Sequence, residues 1–152
     1  MIKQIVLAFF GSIFPAILFN IDRKKLSQAG LCGAIGWTTY LLIYRYNHSF
    51  ITGCFAGAFV VGIYSEFMSR KFKTPVVQFS IPGIFPLVPG ITAYNTISSI
   101  AQHDYSAAYS KGIQTLASGG AIAFGIMFSS TTFRLLLRII KLTQNKKRLR
   151  NE

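Results

Sequence analysis

Long apolar stretches alternate with short basic ones along this chain, and the apolar stretches have the length of membrane-spanning helices. A helix that crosses the roughly 30 Å hydrocarbon core of a bilayer needs about 20 mostly apolar residues. Five segments approach or exceed that length, and they cover residues 2–21, 26–44, 50–67, 75–101 and 112–133. The pattern predicts an all-α integral membrane protein with about five transmembrane helices, in one transmembrane domain over residues 1–133.

The basic residues predict an orientation for these helices. Three basic residues follow the first segment, three follow the third and seven follow the fifth, whereas each of the two other loops holds one. Because positively charged loops stay in the cytoplasm during insertion, we expect the N-terminus outside and the C-terminus inside. Residues 134–152 would then form a basic amphipathic cytoplasmic tail. A four-span alternative, in which the fourth segment is re-entrant, would carry the seven basic residues of that tail outside, against the same rule.

The composition excludes a soluble nucleic-acid binder. Hydrophobic residues make up 51% of the chain and charged residues 13%, whereas a soluble domain usually carries about 25% charged residues. The net charge of +12 could suggest a nucleic-acid partner, but the basic residues lie in short runs between apolar segments. A nucleic-acid binder presents them on one surface of a soluble fold. We therefore expect the lipid bilayer, and no nucleic acid, as the surroundings.

Residues that usually carry catalysis or bind metals are sparse. Cys32 and Cys54 both lie within apolar stretches, and His48 and His103 lie in the two outer loops without a second ligand nearby. The sequence contains no residues at metal-ligand spacing. It also contains no pair of acids, no Cys/His pair and no phosphate-binding loop. The sequence predicts no metal, no cofactor and no enzymatic activity.

Small residues recur at helical spacing in three of the segments. They are Gly30, Gly33 and Gly36 in the second, Gly53 and Gly57 in the third, and Ala117, Ala121, Gly125 and Ser129 in the fifth. Helices in a membrane associate through such small faces, because the hydrophobic effect does not drive apolar side chains together in lipid and close packing must do so. The faces predict helix contacts within this chain or with another one, and their number favours a partner.

Aromatic residues cluster toward the outer end of the second segment. These residues are Trp37, Tyr40, Tyr44 and Tyr46. Tryptophan and tyrosine are enriched at the membrane–water interface, so the cluster predicts an interfacial belt. Contact with a substrate is the alternative.

The fourth segment contains a block of prolines and glycines in which no regular helix can continue. Pro82, Pro86 and Pro89 each lack a backbone N–H and push the preceding residue toward an extended conformation. Gly83 and Gly90 add conformational freedom. Because the block lies between long apolar flanks, we expect the break near the middle of the membrane. Irregular backbone at that depth must be buried in protein or line a watery cavity, and transporters build substrate sites from such broken helices.

A new helix is predicted to begin after Gly90. Its free amide groups and the positive end of its dipole would suit a carboxylate. Thr92, Tyr94 and Asn95 add hydroxyl and amide groups along it, and no Lys or Arg lies within residues 75–101. A proline-kinked structural helix is the alternative. The predicted substrate pathway consists of Pro82, Gly83, Pro86, Pro89, Gly90, Thr92, Tyr94 and Asn95.

Glu66 is the one acid near the interior of a predicted span, and it lies four residues before Arg70. An ionisable residue inside a membrane is a candidate for ion coupling. The alternative is a structural ion pair at the cytoplasmic interface. We therefore name Glu66 and Arg70 as a candidate coupling pair, with both roles open.

The sequence resembles the threonine/serine exporter family. The resemblance rests on Ser65–Glu66 followed by Arg70, Lys73 and Pro75, on the block IPGIFPLVPG over residues 81–90 with Tyr94 after it, and on Cys32–Gly33 with Gly36–Trp37. It covers essentially the whole chain in length and span order, and the proline–glycine block is its most specific part. The match is closest to short subunits that correspond to the C-terminal membrane half of full-length exporters.

The resemblance implies a subunit for secondary export of small amino acids, in a bacterial inner (plasma) membrane, that works with a larger membrane subunit. A related branch of the family implies small dicarboxylates as alternative substrates. A non-transporting scaffold and a small channel are the remaining alternatives, and a homo-oligomer is a further option. Glu66, Arg70, Pro82, Gly83, Pro86, Pro89, Gly90 and Tyr94 match the family's motifs.

Overall fold

The computed structural model describes the backbone of residues 1–149 and the side chains of residues 1–140. All regular structure in that part of the chain is helical. The helices are α1 (Ile2–Leu18), α2 (Arg23–Asn47), α3 (Phe50–Phe72), α4 (Val77–Ile84), a 3-10 turn (Phe85–Leu87), α5 (Gly90–Ala101) and α6 (Tyr105–Leu149). The chain is therefore all-α, as expected from its pattern.

Short loops connect the helices, and a residue in the left-handed conformation lies in four of them. Asn20, His48, Lys73 and His103 have φ between 49° and 59°. Such a residue commonly ends a helix, because it lets following amides bond back to the last carbonyls. The amide of Lys73, for example, donates to the carbonyl of Ser69 at the end of α3.

Small residues bring the helices into close contact. A Cβ added at Gly57 would lie 2.9 Å from the carbonyl oxygen of Gly36, so α2 and α3 touch through their backbones. On the other side of α3, a Cβ at Gly125 would lie 2.7 Å from the carbonyl oxygen of Phe55. A Cβ at Gly33 would overlap Ser12 of α1. The small faces predicted from the sequence thus meet within this chain, and they carry no argument for a partner.

The contacts also fix the directions of the helices. Gly125 packs on Phe55 and Ala58, and Ser129 packs on Gly62. Because the residue numbers rise together, α3 and α6 run parallel. Helix α4 runs the opposite way, since Phe79 packs on Phe72 near the end of α3 and Leu87 packs on Gly57.

The first part of α6 has no counterpart in α3. With the register set by Gly125, about twelve residues of α6 precede the level of Phe50, or roughly 18 Å of helix. They pair with α5, where the Lys111 ammonium donates to the Ser99 hydroxyl at 3.3 Å and Gly112 faces Thr96. Helix α5 and the start of α6 therefore form a hairpin that extends beyond the start of α3.

The outside of the bundle is apolar. Two of the described helices are long and apolar enough to cross a membrane, over Phe50–Phe72 and Tyr105–Ile140, and the apolar helices Ile2–Leu18 and Val77–Leu87 are shorter. Large apolar side chains such as Leu7, Phe14 and Phe124 are exposed on its surface. Such a surface suits lipid better than water, which agrees with an integral membrane protein.

Helix α6 continues past residue 133 without interruption. The expected division between a membrane domain and a tail is therefore not marked by a helix end. Of the predicted tail, residues 134–152, the side chains after residue 140 and the whole of residues 150–152 lie outside the described part.

Candidate functional site

The fourth apolar segment consists of two helices with an irregular connection. Helix α4 ends at Ile84, a 3-10 turn contains Pro86, and α5 begins at Gly90. Val88 is extended, with φ −60° and ψ 128°. The following residue, Pro89, accounts for this conformation, because a proline ring clashes with a helical residue before it.

Pro82 and Gly83 are part of the packed interior. Both are buried, and a Cβ at Gly83 would lie 2.6 Å from the sulfur of Cys32 and 2.9 Å from a methyl group of Val61. The missing side chain at Gly83 thus allows α4 to approach α2 and α3. These two residues shape the segment from within and do not line open space in either of the two cavities described next.

The irregular connection borders a cavity of about 290 Å³ between α2, α3 and the start of α5, which we call the α5 cleft. Its walls are Trp37, Tyr40, Phe50, Cys54 and residues 86–92. Four of the predicted pathway residues are among them: Pro86, Pro89, Gly90 and Thr92. The cleft is mostly apolar with few polar groups, which is typical of small-molecule sites.

Along α3, the α5 cleft lies near the start of the helix. Gly83 contacts Val61, halfway along α3, whereas the cleft is level with Phe50 and Cys54 in the first two turns of that helix. The depth of the break in the membrane stays a prediction. Helix α4 starts beside the end of α3, and its eight residues and the 3-10 turn pass the middle of α3 before the chain becomes irregular.

A second cavity, the α1 cleft, lies on the other side of the same wall. Its volume is about 280 Å³, and it is lined by Gln4, Leu7, Ala8, Gly11, Trp37, Phe85 and Pro86. Trp37 and Pro86 belong to both cavities. We call these two shared wall residues the partition between the clefts.

Hydrogen-bond donors without acceptors occur among the wall residues of the α5 cleft. The indole N–H of Trp37 is buried and has no acceptor among the described residues. The first amides of α5, at Ile91 and Thr92, lie in the first turn, where a helix offers no internal acceptor. The Thr92 hydroxyl is not such a donor, because it donates its hydrogen to the carbonyl of Pro89 at 2.9 Å. Donors without acceptors suit a ligand that carries acceptor oxygens.

The aromatic residues of α2 face the interior more than the belt prediction implied. Trp37 stacks on Tyr40 with ring centroids 4.8 Å apart, and Tyr40 stacks on Tyr44 at 5.8 Å. Tyr40 is only 7% exposed, whereas Tyr46 is 85% exposed. Seven cleft residues were absent from the predicted pathway, and they are Trp37, Tyr40, Phe50, Cys54, Leu87, Val88 and Ile91. The spacing of Gly33, Gly36 and Tyr40 on one helical face was the signal that could have found the aromatic part.

Tyr94 and Asn95 lie outside both clefts. Tyr94 is 71% exposed on α5, and Asn95 is half-buried one residue further along. The predicted pathway set thus divides into four cleft residues, two buried packing residues and two residues on the surface of α5.

Glu66 is buried near the other end of α3. Its residue exposure is 6%, and Arg70 lies 3.8 Å away from its carboxylate. The guanidinium of Arg70 also lies over the ring of Phe133, 5.1 Å from its centroid. Twelve residues of helix, or about 18 Å, separate Glu66 from Cys54 in the cleft. A ligand in the α5 cleft therefore does not touch Glu66.

Metal ligands are not clustered in the described part of the chain, which contains no group of three or more His, Cys, Asp or Glu side chains that could hold an ion. Cys32 and Cys54 are buried free thiols. The sulfur of Cys32 lies 3.5 Å from the Ser65 hydroxyl and 3.7 Å from the Val61 carbonyl oxygen. Both cysteines act here as small packing residues.

Comparison with known proteins identifies the family. A family model described as "Threonine/Serine exporter, ThrE" matches residues 4–132. An uncharacterized protein of Haemophilus influenzae is 26% identical over 126 residues, which cover 78% of this chain and 42% of that protein. The chain thus spans less than half the length of this relative. No solved structure matches the chain. Because the family model covers most of its length, the chain belongs to the threonine/serine exporter family.

Proposed function

We propose that this chain is the membrane subunit of a secondary exporter of small solutes that bear a carboxylate, of the threonine and serine type. The observation that carries the proposal is the α5 cleft, where an irregular connection, a buried indole N–H without an acceptor and the first amides of α5 meet. Membership in the exporter family supports it.

The cleft suits a small carboxylate more than a bulky ligand or one without acceptor oxygens. Its volume of about 290 Å³ is at the lower end of the range for ligand pockets, which is about 300–1,000 Å³. A carboxylate has only acceptor oxygens, and the indole of Trp37 and the amides of Ile91 and Thr92 have only donors to offer. The positive end of the α5 dipole adds to the attraction.

A partner subunit is part of the proposal. The relative from Haemophilus influenzae is more than twice as long as the matched region, so a larger membrane subunit would supply the remaining half. The hairpin of α5 and α6 supports this, since Ile91, Tyr94, Ile97 and Ile100 recur along α5 and are exposed. Exposed apolar faces of this kind mark contacts with lipid or protein.

The proposed topology has five crossings of a bacterial inner membrane, with the N-terminus outside and the C-terminus in the cytoplasm. Helix α4, the 3-10 turn and the start of α5 together would form the fourth crossing. The alternation of basic and nearly neutral loops supports this arrangement.

Ion coupling through Glu66 would have to act at a distance. Since about 18 Å of α3 separates Glu66 from the α5 cleft, the carboxylate would influence the substrate through α3 and its contact with α6, where Arg70 packs on Phe133. The competing role is a structural ion pair that joins the ends of these two helices.

The test is transport in vesicles that contain the chain together with its partner subunit. We expect efflux of serine or threonine against a gradient, and we expect Trp37→Phe to raise the KM about tenfold or more, because the substitution removes one buried hydrogen bond to a charged group. Tyr46→Phe, at an exposed aromatic residue of the same helix, is the control and should leave the KM unchanged.

The same vesicles separate the alternatives. Efflux of succinate in place of amino acids would assign the chain to a dicarboxylate exporter. Flux only down a gradient would indicate a channel. Flux that needs this chain but is unchanged by Trp37→Phe and by substitutions at Gly90 and Thr92 would indicate a scaffold, and it would contradict the role of the α5 cleft.

A further inference from the structure

A third cavity, which is polar, lies at the opposite end of α3 from the α5 cleft. It has a volume of about 430 Å³, and we call it the basic cavity. It is lined by Glu66, Ser69, Arg70, Lys73, Thr74, Pro75, Val76 and Arg134. Three of these side chains are cationic and one is acidic, so the cavity carries an excess of positive charge that an anion would balance.

The cations of the basic cavity are largely available. Arg70 makes a single 3.8 Å contact with Glu66, which leaves most of its five N–H donors free. Neither Lys73 nor Arg134 forms an ion pair with any side chain of residues 1–140. Arginine in particular binds phosphate and carboxylate oxygens through paired N–H donors.

The loop between α3 and α4 adds a neutral donor. The Thr74 amide donates to the Ser69 carbonyl at 3.0 Å, and the Ser69 hydroxyl donates to the Thr74 carbonyl. These bonds hold the Thr74 backbone against α3. The Thr74 side-chain hydroxyl is buried and has no partner among the described residues. A buried hydroxyl without a partner is uncommon, and it suggests a ligand that completes the site.

Three exposed apolar side chains directly follow lining residues in sequence, and we call them the apolar border. Phe67 follows Glu66 along the chain, Val77 follows Val76, and Leu135 follows Arg134, and all three are more than half exposed. Apolar side chains do not strengthen the binding of a freely soluble anion. They do strengthen the binding of a molecule with an anionic head and an apolar tail, such as an anionic phospholipid at a basic pocket between membrane helices.

We propose that the basic cavity binds a phosphate group, held by Arg70, Lys73, Arg134 and the hydroxyl of Thr74. The apolar border favours the headgroup of an anionic phospholipid as its source over free phosphate. Glu66 would keep Arg70 in position beside the phosphate. The inference is independent of export, because a non-transporting chain could bind the same group.

The test measures phospholipid binding to the purified full-length chain in neutral detergent by native mass spectrometry. Phosphatidylglycerol is the probe, phosphatidylcholine is the zwitterionic reference, and inorganic phosphate is the competitor. Arg134→Gln removes a charge from the cavity. Lys71→Gln is the matched control, since Lys71 lies between two lining residues in sequence, is exposed and does not line the cavity.

We expect preferential binding of phosphatidylglycerol, weakened about fivefold or more by Arg134→Gln and less than twofold by Lys71→Gln. Thr74→Val should also weaken binding, although it changes no charge. If millimolar phosphate displaces phosphatidylglycerol, free phosphate is a source of the group that the cavity binds. If millimolar phosphate does not displace the lipid, the lipid headgroup is the source. Equal losses in Arg134→Gln and Lys71→Gln, or equal binding of the two lipids, would overturn the proposal.

Discussion

At the residue scale, the two glycines of the proline–glycine block have different roles. Gly83 lies where α4 touches α2 and α3, and an added Cβ would meet Cys32 and Val61 at less than 3 Å. An added Cβ at Gly90 would meet nothing within 4 Å. In sequence the two residues look alike, since each follows a proline. Only the packing separates a glycine needed for close approach from one that borders open space.

This contrast predicts that Gly83→Ala destabilises the protein and Gly90→Ala does not. Overpacking in a well-filled interior costs about 1–3 kcal/mol, whereas alanine in the first turn of α5 meets no atom. Thermal unfolding of the two purified variants, followed by the size-exclusion profile in detergent, measures the difference. Equal melting temperatures for Gly83→Ala and the unsubstituted chain would contradict the close packing of α4.

Gly90 also lines the α5 cleft, where a side chain would occupy space that we propose for the substrate. Gly90→Leu would place a large side chain at the wall of the α5 cleft, and we expect export to be lost while the protein still inserts and keeps its melting temperature. Transport in vesicles and the unfolding profile are the two measurements. Normal export by this variant would remove the α5 cleft from the substrate pathway.

Glu66 allows a test of ion coupling against a structural ion pair. If the carboxylate couples export to an ion, Glu66→Gln should abolish accumulation against a gradient and leave exchange of substrate across the membrane. Asp22→Asn is the control, because Asp22 forms an exposed ion pair with Lys25 at 3.8 Å. A lower melting temperature with unchanged accumulation would assign Glu66 to structure alone.

At the scale of the elements, the sequence predicted which helices form better than how they are arranged. The start of α3 at Phe50 and an irregular stretch before Gly90 follow from local signals. The prediction that no regular helix continues through the proline–glycine block is wrong for its first part, because Pro82 and Gly83 lie inside α4. The level of the break along α3 does not follow, because it depends on where α4 begins beside the end of α3. The inward position of Trp37 and Tyr40 depends likewise on the contact of Gly36 with Gly57.

The parallel packing of α3 and α6 predicts the effect of substitutions along one face. A Cβ at Gly125 would lie 2.7 Å from the Phe55 carbonyl oxygen and 3.1 Å from the Phe59 nitrogen, both of which are backbone atoms that cannot move aside easily. We expect Gly125→Ala to lower the melting temperature. Gly120→Ala, where the added Cβ meets nothing within 4 Å, should keep or raise it, because alanine favours helix by about 0.5–1 kcal/mol over glycine.

At the scale of the whole molecule, the charge pattern and the helix directions can be tested together. Five crossings would put the α1–α2 loop inside the cell and the α5–α6 loop outside. In intact cells we expect an impermeant maleimide to label Gln102→Cys and not Lys24→Cys. The native thiols of Cys32 and Cys54 are buried and supply the unlabelled background. Labelling of Lys24→Cys alone would invert the proposed topology.

The partition between the α1 cleft and the α5 cleft has a consequence for volume. Because Trp37 and Pro86 belong to both walls, a shift of the indole toward one cleft shrinks that compartment and enlarges the other. We therefore expect a ligand that fills one compartment to hinder a ligand in the other. Trp37 is also the single tryptophan of the chain, so one fluorophore, embedded in the partition itself, senses the state of both compartments.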